Sequence, residues 1–263
     1  MSATRQPVRQ PAPQPARQPA RHPAGGGASR VPLAHRERID WHDHASHQLI
    51  HPHRGVLRIS TPIGDWVVPP HRGVWIPAGV AHAHEAYGPT EMRALVFDPW
   101  VNPLRLDRPT VLAITPLLRE VVVALTGDDE PTASRRANLE RVLLDQLREV
   151  EALPLCLPTP SDPRLRDVAA ILEADPADGR TLAELGAVVG ASERTLSRLF
   201  RAETGMSFPQ WRTQLRLHRA LILLAGGRSV TSTAAACGYS GPSAFIQSFK
   251  HAFGTTPHAY VRG

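Results

Sequence analysis

Two stretches near the C-terminus repeat one helical pattern, and that repeat constrains the fold more than any other feature of the chain. The first runs from Thr181 to Gly190, then through Ala191 into Ser192-Glu-Arg-Thr-Leu-Ser-Arg-Leu-Phe-Arg201. Leu182, Leu185 and Val189 fall on one face at helical spacing. Gly190 suits the left-handed residue that ends a helix, and Ser192 can cap the next one through its hydroxyl. That next helix turns Leu196, Leu199 and Phe200 inward and leaves Arg194, Ser197 and Arg198 on another face. Two helices joined by so short a turn form a helix-turn-helix, whose second helix enters the major groove of DNA.

The pattern recurs further on. Val230 to Cys237 reads as a second leading helix, with Gly238 and Tyr239 as its turn. Gly241 and Pro242 fit the N-cap and N1 positions of the following helix, where proline's missing N–H has no consequence. There Phe245 and Phe249 point inward, and Ser243 and Gln247 outward. Aligning the units pairs Ser192 with Gly241, Leu196 with Phe245 and Phe200 with Phe249. Between them, residues 210–225 hold no helix breaker and predict a long, rigid spacer helix.

The stretch 181–263 closely resembles the AraC/XylS family of transcription regulators. The resemblance rests on the Ser192-x-x-x-Leu-x-Arg-x-Phe run, Gly205, Trp211, the spacing of Arg216 and Ala220, Cys237-Gly-Tyr239, and Phe253-Gly-Thr-Thr-Pro257 with Tyr260. It implies two helix-turn-helix units bridged by the long helix, with recognition helices about 34 Å apart on one DNA face. It places base-facing positions at Arg194, Ser197 and Arg198, and at Pro242, Ser243 and Gln247. Arginine can bond guanine bidentately and glutamine adenine; the alternative for each is a phosphate contact. Pro242 has no side-chain donor, so the second unit is expected to read sequence more weakly. Thr233 stands where the family usually has an aliphatic residue, and Gly186 where it usually has alanine. Each departure implies a mild cost without loss of fold.

Charge supports this division. Residues 181–263 hold nine basic side chains against three acids, whereas residues 31–160 carry a net −3. A basic block after an acidic one suggests a nucleic-acid-binding domain behind a domain with another task. The length of 263 residues fits about two domains. Residues 1–30 form a Pro/Gln/Arg-rich tract with five arginines and no acid, expected to be a disordered tail. The two cysteines, Cys156 and Cys237, have neither disulfide-framework nor zinc-finger spacing and read as free thiols. With no apolar run near the ~18 residues of a membrane span and no signal peptide, the expected location is cytoplasmic.

Upstream the pattern changes to short Val-, Ile- and Trp-rich runs broken by glycine and proline, among them 55–60, 65–68, 73–76 and 92–97. These predict strands of a small antiparallel barrel or sandwich over 31–110, with Pro69 and Pro70 in a turn. Residues 111–153 turn helical. Leu139, Val142, Leu143, Leu147, Val150 and Leu153 make an apolar stripe that either packs on its own barrel or pairs with a second copy as a homodimer. Residues 154–163, with four prolines, read as a linker, and 164–263 as the DNA-binding domain. The fold class is α+β.

The barrel segment is rich in histidine. His42 and His44 lie two apart and share a face on a strand, and His82 and His84 form another pair after Pro77-Ala-Gly-Val. These segments resemble the two short motifs of the cupin barrel. The resemblance maps the cupin metal ligands onto His42, His44, Gln48 and His82, with Gln48 a poor ligand where a carboxylate is usual. His47, His51 and His53 are expected on the surface or in loops, and Trp66 and Trp75 in the barrel's packing. Two readings of the histidines stay open: a site for a divalent transition metal, since imidazole suits several, or a small-molecule effector pocket with hydrogen-bonded histidines. The leading functional reading is a DNA-binding transcription regulator with a small-molecule or metal effector. The alternative is a metal-dependent cupin enzyme carrying a DNA-binding appendage. A Ser/His/Asp triad, P-loop or dinucleotide fingerprint is not evident.

Overall fold

The computed structural model describes residues 27–148, 152–153 and 156–262. Its elements are β1 (Ala28–Leu33), β2 (Arg38–His42), β3 (His47–Thr61), β4 (Gly64–Val68), β5 (Arg72–Ile76), β6 (His82–Phe97), β7 (Thr110–Ala113), α1 (Pro116–Leu125), α2 (Ala133–Arg148), β8 (Ala152–Leu153), β9 (Leu157–Pro158), α3 (Pro163–Ala174), α4 (Leu182–Val189), α5 (Glu193–Thr204), α6 (Phe208–Ala225), α7 (Val230–Ala236), α8 (Pro242–Phe253) and α9 (Pro257–Arg262). The tail expected over residues 1–30 lies outside the described residues up to position 26. Its end differs from expectation, because Ala28 to Arg30 already pair with β6. Of the helical stripe, Val150 is likewise outside the described residues.

Two long strands organise the N-terminal half. β3 and β6 run antiparallel along most of their length, and each changes its second partner midway. β3 pairs with β5 near its start and β4 at its end; β6 pairs with β2 at its start and β1 at its end. The change of partner falls at irregularities between Pro52 and Val56. Pro52 has no N–H to give a ladder. Gly55 has φ 74°, and a Cβ there would come within 2.3 Å of Thr90 Oγ1, so the bulge requires glycine. The expected cupin-like barrel is corrected in one respect. The strand path β1-β6-β3-β5-β7-β8 ends in two strands that do not pair with each other among the described residues.

Alternation along β3 sends neighbouring residues to opposite faces. Ile50, Leu57 and Ile59 join Trp66, Val68, Val74, Ile76, Ala86 and Met92 in one core. Leu49, Trp75, Leu95 and Phe97 form another with Leu118, Val121, Val122 and Leu125 of α1 and Leu143 and Leu147 of α2. The α2 stripe is therefore occupied within its own domain, with Leu139 partly buried against the same core and Val142 39% exposed.

The proline-rich connector is fastened down as well. Leu157 pairs opposite Asp65 and is buried with α3 and α5. Asp162 caps α3 by accepting from Arg164 N. α6 then crosses two cores. Phe208, Trp211 and Leu215 pack with α3, α4 and α5. Leu217, Leu221 and Leu224 pack with Phe245, Phe249, Phe253 and Tyr260. That second core also takes in Val56, Val67 and Tyr87 from the sheet. The guanidinium of Arg216 donates to the carbonyls of Pro176 and Asp178, which clasps the loop after α3 onto α6. Cys156 and Cys237 are free thiols that burial pushes up to about 12 and about 11.

Candidate nucleic-acid interface and histidine cluster

The first helix pair is fixed by its caps. Thr181 accepts from Glu184 N at 3.2 Å while the Glu184 carboxylate accepts from Thr181 N at 2.7 Å, a reciprocal capping box. Gly190 ends α4 in the left-handed conformation. Ser192 Oγ accepts from Thr195 N at 3.2 Å and starts α5. The turn is tight, because Ala191 N donates to Gly186 O at 2.9 Å and a Cβ on Gly186 would lie 2.4 Å from Ala191 O. Leu196 and Phe200 are fully buried, which holds the opposite face of α5 outward. Arg194, Ser197 and Arg198 lie on that face, all exposed. Neither arginine forms a salt bridge among the described residues. Two of the nearby acids are taken up by backbone N–H groups: Glu184 in the capping box, and Glu203 by accepting from Ser161 N and Asp162 N.

The second pair uses the same plan with fewer caps. Ser229 caps α7 by accepting from Ser232 N. α8 starts at Pro242 without a side-chain cap, and Phe245 and Phe249 are fully buried beneath it. Pro242, Ser243 and Gln247 are exposed. All six residues that the resemblance assigns to bases thus sit on solvent-facing sides of the second helices of their units.

The histidines gather elsewhere, where β2 meets β6. His42 pairs directly opposite His82, and His84 follows two residues on, on the same side of the strand. Their ligating nitrogens lie within 4.8 Å of one another, and all three rings are buried. His44 follows β2 in a turn whose carbonyl accepts from Gly79 N at 2.7 Å. Its ring stands 4.8 Å from His42 and 5.3 Å from His82. The Asp40 carbonyl accepts from His42 Nδ1 at 2.7 Å, and the Val80 carbonyl from His82 Nδ1 at 2.9 Å. A carbonyl can only accept, so both rings carry a proton on Nδ1, which leaves Nε2 as the nitrogen available to a ligand. His82 Nε2 is buried without a hydrogen-bond partner. Burial, reinforced by the neighbouring His42 and His44, pushes His82 down to about 4. Imidazole nitrogens gathered this closely are the donor type that a late first-row divalent metal takes. Gln48 is buried on β3 between Ile76 and Val96 and offers an uncharged amide.

Sequence reasoning named the His82/His84 pair but left His84 out of the ligand set. The two-residue rule that grouped His42 with His44 would have included it. The expectation for His47 and His51 is corrected. Both lie on β3 and are buried, because α1 and the loop after β6 cover that face. His47 donates from Nε2 to Pro99 O, accepts from Ala78 N at Nδ1, and stacks on Trp75. His53 is also on β3 and partly buried.

Two helix pairs strung on one long helix, each turning a polar face outward from its second helix, define a DNA-binding transcription regulator. A family model described as a helix-turn-helix domain matches residues 185–263. The chain is 35% identical over 228 residues to the HTH-type transcriptional regulator NimR of Escherichia coli K12, covering 84% of this chain and 81% of that one. The arabinose operon regulatory protein of the same organism shares 29% identity over 149 residues, 56% of this chain and 50% of its own length. A solved transcriptional regulator from Chromobacterium violaceum with an AraC-type DNA-binding domain aligns at 29% identity and a TM-score of 0.36, over 38% of this chain and 90% of that one. The chain belongs to the AraC-type family of helix-turn-helix transcription regulators. Among the described residues no helix is long and apolar enough to cross a membrane.

Proposed function

We propose that this regulator binds specific double-stranded operator sites, reading bases chiefly through Arg194 and Arg198, with Ser197 beside them. The observation that carries the reading is the exposed, unpaired pair of guanidinium groups on the outer face of a fully capped α5. Pro242, Ser243 and Gln247 make the second unit a weaker reader that sets position on the duplex. The N-terminal domain is a cupin-like sensor working in the cytoplasm. Its effector is a divalent transition metal ion held by His42, His82 and His84, with His44 beside them. The fixed Nδ1–H tautomers and the orphaned Nε2 of His82 support metal over a plain polar pocket. Assembly as a homodimer would draw on sensor surfaces other than the buried part of the α2 stripe.

Duplexes selected from a random pool, titrated beside scrambled duplexes across a salt series, test the first part. A selected site should bind at least about 10³-fold tighter at physiological salt. Equal affinities with one common salt slope would leave only phosphate binding and sink the proposal. For the second part, equilibrium dialysis against Zn²⁺ should give one ion per chain, lost in His82→Ala. Retention of the ion by that variant would refute the site.

A further inference from the structure

The buried polar atoms that lack hydrogen-bond partners are not spread evenly. His51 Nε2, His71 Nε2, Arg72 Nε and the Tyr260 hydroxyl gather about the start of β5, and Arg119 Nε belongs to the first turn of the neighbouring α1. The chain path brings them there. Arg72 pairs opposite Ala113, and Ile114 N donates to His71 O at 3.0 Å. Thr115 then caps α1, and Arg119 stands one turn on, its N donating to Thr115 O at 2.9 Å. From β3, His51 Nδ1 donates to Arg72 O at 3.1 Å. From the DNA-binding domain, the Tyr260 ring meets His71 edge-on at 4.1 Å. Its hydroxyl faces the Arg72 guanidinium without closing a well-formed hydrogen bond.

The charges at this junction are unbalanced. Arg93, paired opposite His51 on β6, is satisfied by Glu91 at 2.5 Å and Thr126 at 2.6 Å. Arg72 and Arg119 have no carboxylate within salt-bridge distance among the described residues. The positive charges of Arg119 and Arg93 both act on His51, and burial together with those charges keeps its imidazole neutral. Two guanidinium groups with shielded, unmet N–H donors and no counter-charge call for an acceptor that brings negative charge.

We propose that this junction is an oxyanion site: Arg72 and Arg119 hold the carboxylate or phosphate group of a small metabolite, and Tyr260 donates a further hydrogen bond to it. The site shares no residue with the histidine cluster and takes a ligand of opposite charge. Planar guanidinium forks suit two oxygens of such a group. Arg72 and Arg119 come from the sensor domain and Tyr260 from the core of the second helix-turn-helix unit. An anion bound here joins the two, so its affinity and that of DNA must depend on each other reciprocally.

The test uses the full-length chain in thermal melts, titrated with inorganic phosphate or with acetate and balanced against sodium chloride to constant ionic strength. One or both anions should raise the melting temperature along a saturating curve. Arg119→Gln should weaken the midpoint tenfold or more, and Tyr260→Phe by a smaller factor. Arg141→Gln, an exposed change on α2, should match the parent. Saturation by phosphate alone identifies a phosphorylated ligand, by acetate alone a carboxylated one, and by both the shared oxyanion chemistry. A response in the parent that does not saturate, or that chloride reproduces, overturns the proposal whatever the variants do. Identical curves for the parent and Arg119→Gln overturn it as well.

Discussion

Replacing Thr233 by valine should stabilise the protein. Thr233 is fully buried in α7, and its Oγ1 has no hydrogen-bond partner. Its backbone is already satisfied: N donates to Ser229 O at 2.9 Å, and its carbonyl accepts from Cys237 N at 3.0 Å. Valine keeps the branched shape and differs little from threonine in helix propensity. The change therefore removes one orphaned hydroxyl and little else. A buried polar group left unmet costs about 1–3 kcal/mol, so a gain of about 1.5 kcal/mol is expected. At about 2–4 °C per kcal/mol for a chain of this size, the melting temperature should rise by about 3–6 °C. Urea unfolding followed by circular dichroism would show a higher midpoint at unchanged slope. Thr233→Ser is the control, since it keeps the hydroxyl and loses the methyl, and it should be less stable than the parent. If valine is neutral or destabilising while serine matches the parent, the hydroxyl is satisfied and the reasoning fails.

Arg198→Ala should weaken binding to a selected operator by about 1–3 kcal/mol while changing scrambled duplexes much less; equal losses on both, read by fluorescence anisotropy, would assign Arg198 to phosphate. Gly186→Ala places a methyl 2.4 Å from Ala191 O. The gain of about 1 kcal/mol in helix propensity should be outweighed, and a raised urea midpoint would refute the close approach. Burial also predicts a pH dependence. His51 and His71 are pushed from 6.5 down to about 4 in the folded chain. As pH falls below 6.5 the unfolded chain takes up their protons first, so stability declines from there toward pH 4. His51 accounts for about 2 kcal/mol of that loss at pH 5. His51→Gln should flatten the profile by that amount in pH-dependent urea titrations, and a slope unchanged by the substitution would count against it.

The helix-turn-helix units were legible because their signals are local. Gly190 and Ser192 each act within a few residues, and in the structure Gly190 ends α4 in the left-handed conformation and Ser192 caps α5. The strands were legible in part. Runs such as 65–68 and 73–76 match β4 and β5, but β3 and β6 extend far beyond the apolar runs that signalled them. The reason is visible at His47 and His51. A polar residue alone predicts exposure, whereas their covering comes from α1 and the 98–101 loop, some fifty residues or more along the chain. Whether the sheet closes likewise depends on pairings between distant strands. The orphaned groups around Arg72 and Arg119 have no sequence signature, because β5, α1 and α9 meet only in the folded chain.

The presence of Val56, Val67 and Tyr87 in the core of the second helix-turn-helix unit has a mechanical consequence. That unit has no complete wall of its own on the sheet side: removing the N-terminal domain would bare an apolar surface on α6 where those side chains now sit. Close-packed interiors transmit strain. A shift of the β3–β4 hairpin or of the start of β6 is therefore also a shift in the bed on which α8 lies. The two halves of the chain are thus joined by more than the proline-rich connector. A shared layer of side chains joins the sheet sideways to the half of the fold that carries α8, while Arg194 and Arg198 stand on a separate core that the sheet reaches through Leu157 of β9.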